Sequence, residues 1–155
     1  MNMKLAKHII FFLIINFGGL YIGYLLMNYG PQTTWYTNLN QAPWTPPGWV
    51  FGAAWTLIMI CFSIYLGYLF FKVDNTRLKL AFALQVVLNV SWNYVFFNQH
   101  LVGLGLVVIS ALTVVIFTFF FSNFKKLKSK SYLLLPYMIW LLIATSLNAY
   151  ILFNN

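Results

Sequence analysis

Trp55, Trp92 and Trp140, with the amides of Gln85, Asn89, Asn93 and Asn148, are the side chains of this sequence best suited to holding another molecule. Their types allow ring stacking, edge-on aromatic contact and hydrogen bonding, but neither proton transfer near neutral pH nor nucleophilic attack. Acid-base, nucleophilic and metal chemistry lack the residues they need: acidic residues number one in all, Asp74, alongside two histidines and one cysteine. No paired carboxylates, no Ser/His/Asp set and no His-Glu metal motif can be assembled, so no metal site is expected. Asp74 falls in a loop, so no apolar segment carries a carboxylate that could relay protons, which argues against proton-coupled transport. His8 and His100 fall at opposite ends of apolar segments, badly placed for an axial haem ligand. Cys61 stands alone and reads as a small buried hydrophobe. What remains is noncovalent capture of an apolar ligand, with amides to orient it.

The spacing supports that reading. Gln85, Asn89 and Asn93 recur at i, i+4 and i+8, which puts three amides on one helical face flanked by Trp92 and Phe96. Tyr137, Trp140, Ala144 and Asn148 form a second stripe behind Pro136, and Trp55 follows a proline-led helix entry. Polar groups inside a membrane avoid lipid and face the bundle interior or a cavity. Such amides serve either as interhelical hydrogen bonds, of about 0.6 kcal/mol each, or as ligand contacts. Above them runs Asn28 to Trp55, which holds four of the six tryptophans, four of the five prolines and no charge. An uncharged, Trp-rich connection suits the membrane interface, and Pro43, Pro46 and Pro47 stiffen it. It reads as a lid over something flat and apolar.

These residues need a membrane bundle to position them. Hydrophobic residues make up 62% of the 155 and charged residues only 6%, against about a quarter charged in soluble domains. Five segments approach the ~20 apolar residues that a helical crossing needs. They lie near residues 5–27, 47–71, 78–98, 101–122 and 132–153, within one domain spanning 1–155. Runs such as Ile9 to Ile15 are continuously apolar, unlike the alternating strands of a membrane barrel. The expected fold is therefore all-α and integral to the membrane: five transmembrane helices, with the Trp/Pro-rich lid between the first and second.

Under that assignment all nine Lys and Arg lie on one side: Lys4, Lys7, Lys72, Arg77, Lys79, Lys125, Lys126, Lys128 and Lys130. The positive-inside rule then puts the N-terminus in the cytoplasm, and the lid and C-terminus outside. Topology is sufficient reason for the net charge of +8, so nucleic acid is not an expected partner, whereas anionic headgroups are. Lys4 and Lys7 precede an apolar run without an Ala-x-Ala-like site, which reads as a retained helix rather than a signal peptide. Gly19-x-x-x-Gly23, and Gly103 with Gly105, predict close helix approach, within the chain or across a dimer.

The run Trp35-Tyr36-x-x-Leu39-x-x-x-Pro43-x-x-Pro46-Pro47-Gly48-x-x-Phe51-x-x-x-Trp55 resembles the signature of the tryptophan-rich sensory proteins, also called translocator or peripheral benzodiazepine receptor proteins. Gln85-x-x-Leu88-Asn89-x-x-Trp92-x-x-x-Phe96-Phe97 is similar to that family's third helix. Pro136-Tyr137-x-x-Trp140-x-x-x-Ala144-Thr145, followed by Leu147 and Asn148, is similar to its fifth. The resemblance implies a pocket under the first loop, near the outer helix ends, lined by Tyr36, Trp44, Trp55, Asn89, Trp92, Trp140 and Ala144, with Asn148 beside them. It implies no obligatory cofactor. The implied ligands are porphyrins, haem-related tetrapyrroles, sterols or other small planar hydrophobes, with homodimers frequent and, as in bacterial members, the cytoplasmic membrane as location. The implied roles are sensor, carrier or scavenger, with passive sterol or lipid carriage as an alternative. Residues matching Trp55 and Trp140 are tied in some bacterial members to light-dependent porphyrin breakdown, which makes these two the catalytic candidates if the protein is an enzyme. The sterol motif of animal members is incomplete here, since Leu147 and Tyr150 are followed by no cation.

Overall fold

Hydrocarbon offers backbone groups no partners, so these apolar segments satisfy their own by coiling. The computed structural model describes residues 3–155, and among them no strand occurs. The long helices are α1 (Met3–Leu26), α3 (Gly48–Lys72), α4 (Thr76–Asn93), α5 (Val102–Leu127) and α6 (Leu135–Asn154), with a short helix, α2 (Thr34–Thr37), between the first two. Four continuous helical stretches are long and apolar enough to cross a membrane: Met3–Gln32, Gly48–Lys72, Thr76–Asn98 and the 53-residue Val102–Asn154. That last stretch is not straight. Its backbone turns at Lys128, where φ is 50°, passes through the 3-10 segment Lys128–Leu134, and returns so that α6 packs along α5.

Local signals explain the helix ends. Asn75 caps α4, its Oδ1 accepting from the Leu78 amide at 2.8 Å, as N-cap residues do. Pro47 precedes the first turn of α3 and Pro136 stands in the first turn of α6, where a missing N–H costs little. Three ends differ from expectation, the first being the start of the fifth segment, where residues 132–134 still belong to the 3-10 segment and α6 begins only at Leu135. The fourth apolar segment does not stop near residue 122, since α5 continues to Leu127; Lys125 and Lys126 favour helix, and their long stems let the charges leave the bilayer. The third does not stay α-helical to residue 98: Tyr94–Asn98 forms a π-helical turn, which swings Phe96 and Phe97 into the interior, 2% and 8% exposed.

The packed pairs are α1 with α3 and α4, α4 with α5, α5 with α6, and α6 with α3, a closed ring of helices. One end and the middle of the ring are filled by a core including Phe12, Ile58, Phe62, Leu66, Leu112, Ile116, Phe119 and Leu141. Asn16 Nδ2 donates to Ser63 Oγ at 2.9 Å inside it, joining α1 to α3. Phe96, Phe97 and Ile151 form a smaller cluster at the other end, packed against Trp35, Tyr36 and Leu39. The space between the two clusters is not filled by side chains.

Candidate functional site

A cavity of about 690 Å³ occupies that space, walled by α1, α3, α4 and α6 and roofed by the connection from α1 to α3. Such a volume lies in the range of small-molecule sites, which are mostly apolar with a few placed polar groups. Tyr36, Trp55, Asn89, Trp92, Trp140 and Ala144 all line it. Trp55 meets Tyr137 edge-on at 5.9 Å, and Trp140 meets Phe51 edge-on at 5.2 Å. Those edge contacts hold the two indoles while leaving them part of the wall. Trp92 stacks on Phe96 at 5.3 Å and 15°.

The three amides of α4 have divided tasks. Gln85 is buried below the cavity, and its Nε2 meets the Tyr137 hydroxyl at 2.9 Å. Asn93 donates to its own helix at the Asn89 carbonyl, 3.2 Å away, and also borders the cavity. The Asn89 side chain lines the cavity without a hydrogen bond to another described residue. It therefore remains available to a ligand, whereas Gln85 holds the bundle together.

Two predicted site residues do not line the cavity. Asn148 is buried behind it, its Oδ1 accepting from Trp92 Nε1 at 3.1 Å and its Nδ2 donating to the Val102 carbonyl at 3.0 Å. It fixes the Trp92 indole in place and links α4, α5 and α6. Trp44 lies on the outside of the α1–α3 connection, 53% exposed, its Nε1 donating to Ser146 Oγ at 3.1 Å and its ring set edge-on to Tyr150. It fastens that connection to α6. Asn155 adds a second fastening, accepting from the Asn40 amide at 2.8 Å. A third is the stack of Trp35 on His100, 4.0 Å apart and 14° from parallel.

Residues beyond those expected also line the cavity. Gln41, Thr45 and Pro46 form the roof, and Phe17, Leu20 and Tyr24 supply the α1 wall. The α1 set recurs at helical spacing, but α1 is apolar on every side, so no face stands out from the sequence. On the α1 and α3 side the rim is open, with Tyr21, Tyr24, Gly48, Gly52 and Thr56 exposed. Tyr36, half-buried under the roof, has its phenol pushed above its ordinary value by loss of solvent. It stays a neutral hydrogen-bonding group through the physiological range.

The glycine pair of α1 is used inside the chain. A Cβ on Gly19 would touch Val90, and one on Gly23 would stand 2.8 Å from Asn93 Nδ2, so this small face receives α4. Gly30 lies against the Phe97 ring, while the left-handed turn before it falls on Asn28 and Tyr29, with φ of 48° and 59°. The glycine thus serves close approach rather than the turn.

The model of the TspO/MBR family matches residues 11–153. A tryptophan-rich protein TspO of Archaeoglobus fulgidus is 33% identical over 148 residues, covering 94% of this chain and 93% of that one. A tryptophan-rich sensory protein of Cereibacter sphaeroides is 32% identical over 115 residues, 74% of this chain and 72% of that one. The human translocator protein is 27% identical over 126 residues, 77% and 74% of the two chains. With the family pattern running through nearly the whole chain and four helical stretches apolar enough to cross a bilayer, the protein is an integral membrane member of the TspO/MBR family.

Proposed function

We propose that the protein binds porphyrins, related tetrapyrroles or similar planar hydrophobic molecules in the 690 Å³ cavity, acting as a sensor, carrier or scavenger. The observation that carries this reading is the wall itself: Trp55, Trp92 and Trp140 around one space, with the unpaired Asn89 amide among them. Flat indole faces reward a flat ligand, and the amide gives it an orientation. In this reading five helices cross the membrane, the 53-residue stretch doing so twice, since at 1.5 Å per residue it would otherwise reach about 80 Å. The connection of residues 28–47 is then a lid, stiffened by its prolines and pinned to α6, and the open rim between α1 and α3 gives lipid-dissolved ligands a lateral way in. Tyr36, Trp55, Asn89, Trp92, Trp140 and Ala144 make the contacts, while Trp44 and Asn148 support them.

A second reading has one observation in its favour, that Trp55 and Trp140 border the same space. Indole has no acid or base function near neutral pH, so degradation would rely on the excited state of a bound porphyrin and on oxygen. Absorbance of a porphyrin bound to purified protein, in the dark and under light, separates the two. We expect Trp55→Phe and Trp140→Phe to keep most of the affinity in the dark. If breakdown under light is equal in the wild type, both variants and free porphyrin, binding stands alone. Loss of breakdown in the variants with binding retained establishes the enzymatic reading. Failure of the wild type to bind any porphyrin would remove the tetrapyrrole assignment.

A further inference from the structure

The end of the bundle opposite the cavity carries a charge imbalance that the chain cannot settle by itself. Asp74, the single acidic residue, pairs with Lys79 at 2.6 Å. Arg77 and Lys126 have no carboxylate partner among the described residues, and both stand beside a groove of about 500 Å³ between the first turns of α4 and the last turns of α5. Leu78, Ala81, Val115 and Phe119 give that groove an apolar wall, while Asn75, Thr118, Ser122 and the buried Asn123, whose Nδ2 donates to the Phe119 carbonyl, also line it. Val114, at 65% exposure, continues the apolar surface outward on a helical stretch suited to hydrocarbon. The groove shares no lining residue with the larger cavity.

We propose that this groove is a binding site for an anionic phospholipid, with the headgroup phosphate held by Arg77 and Lys126 and one acyl chain laid along Ala81, Val115 and Phe119. The guanidinium matches a phosphate with two parallel hydrogen bonds, and the ammonium adds a point charge. The positive end of the α4 macrodipole lies at the same mouth and adds to the field. A soluble anion would satisfy the rim but leave the apolar walls uncovered. A zwitterionic lipid would bring a further cation to a rim that already has two. An anionic lipid satisfies both parts, and it does so independently of what the cavity at the other end binds.

The probes are phosphatidylglycerol and phosphatidylcholine of identical chains, added to the full-length protein in mild detergent, with bound lipid counted by native mass spectrometry. The wild type should retain one phosphatidylglycerol in strong preference to phosphatidylcholine. Arg77→Gln with Lys126→Gln should weaken that retention roughly twenty-five-fold, taking about a factor of five for each cation near a lipid surface. Lys7→Gln with Lys125→Gln removes the same charge from residues that do not line the groove and should change it by only about twofold, since neither can hold the headgroup directly. Ala81→Phe keeps both cations but fills the apolar part, and should also lose the lipid. Equal losses in the two charge pairs would reduce the effect to a diffuse surface field and overturn the proposal. So would equal retention of the two lipids, or displacement of phosphatidylglycerol by millimolar inorganic phosphate. An unchanged lipid count in a folded Ala81→Phe protein would move the acyl chain out of the groove and overturn it too. If Ala81→Phe does not fold, the comparison of the exposed charge pairs decides.

Discussion

At the scale of single residues, the division between cavity wall and its support follows hydrogen bonds rather than residue type. Trp92 and Asn148 are separated by 56 positions yet share one bond; the indole faces the cavity, and the amide behind it is 2% exposed. Trp92→Phe keeps a ring in the wall but leaves Asn148 Oδ1 without its donor. The expected cost is about 1 kcal/mol of stability, between the average for interhelical bonds in bilayers and the penalty for an orphaned buried acceptor. Asn148→Ala should cost more, because the bond to the Val102 carbonyl is lost as well. Unfolding of the detergent-solubilised protein checks this ordering; a Trp92→Phe protein less stable than Asn148→Ala would contradict it. Trp44 shows the same point in reverse. Its sequence neighbour Thr45 borders the cavity, but its own N–H donates to Ser146, so the ring fastens the connection to α6 and does not line the cavity.

At the scale of elements, closeness between helices is set by a few glycines whose roles differ with what faces them. A Cβ on Gly67 would overlap the Ile9 side chain at Cγ1 and stand 3.3 Å from the Ile9 backbone, so the side chain must turn away and the two helices must also ease apart. Gly67→Ala should therefore destabilise by about 1–3 kcal/mol, the usual range for overpacking. Gly52 has open space around its would-be Cβ, and Gly52→Ala should stay within about 0.5 kcal/mol of the wild type. Thermal unfolding of the two variants side by side tests the pair, and equal midpoints would refute the close α1–α3 contact. The π-helical turn at Tyr94–Asn98 is the other decision taken at this scale. By adding a residue to the helical turn it brings both Phe96 and Phe97 against the roof, where Tyr36 meets Phe97 at 5.2 Å. Turns of this kind gather at functional sites.

For the whole molecule, the basic end and the aromatic end are opposite faces of one bundle. Lys72 donates to the Lys126 carbonyl at 3.3 Å and Lys130 sits over the Tyr68 ring, which gathers the cationic loops together. Asn98 reaches the Leu26 carbonyl at 3.2 Å at the other end. With Cys61 removed, a cysteine at Thr37 should react with an impermeant thiol reagent in intact cells and one at Ser129 should not; the opposite pattern would invert the topology. The separation of charge was legible in the sequence because it needs only the order of segments along the chain. The same holds for the helical class, since apolar length and the lack of alternation are one-dimensional properties. The inward faces of α4 and α6 could also be read, because polar groups in hydrocarbon have one direction to turn. Other features depended on contacts between distant residues: the cavity wall on uniformly apolar α1, the burial of Asn148, the outward place of Trp44, and the groove between Arg77 and Lys126. Spacing along a helix tells which side chains share a face, but only packing decides whether that face meets a neighbour, lipid or an empty space.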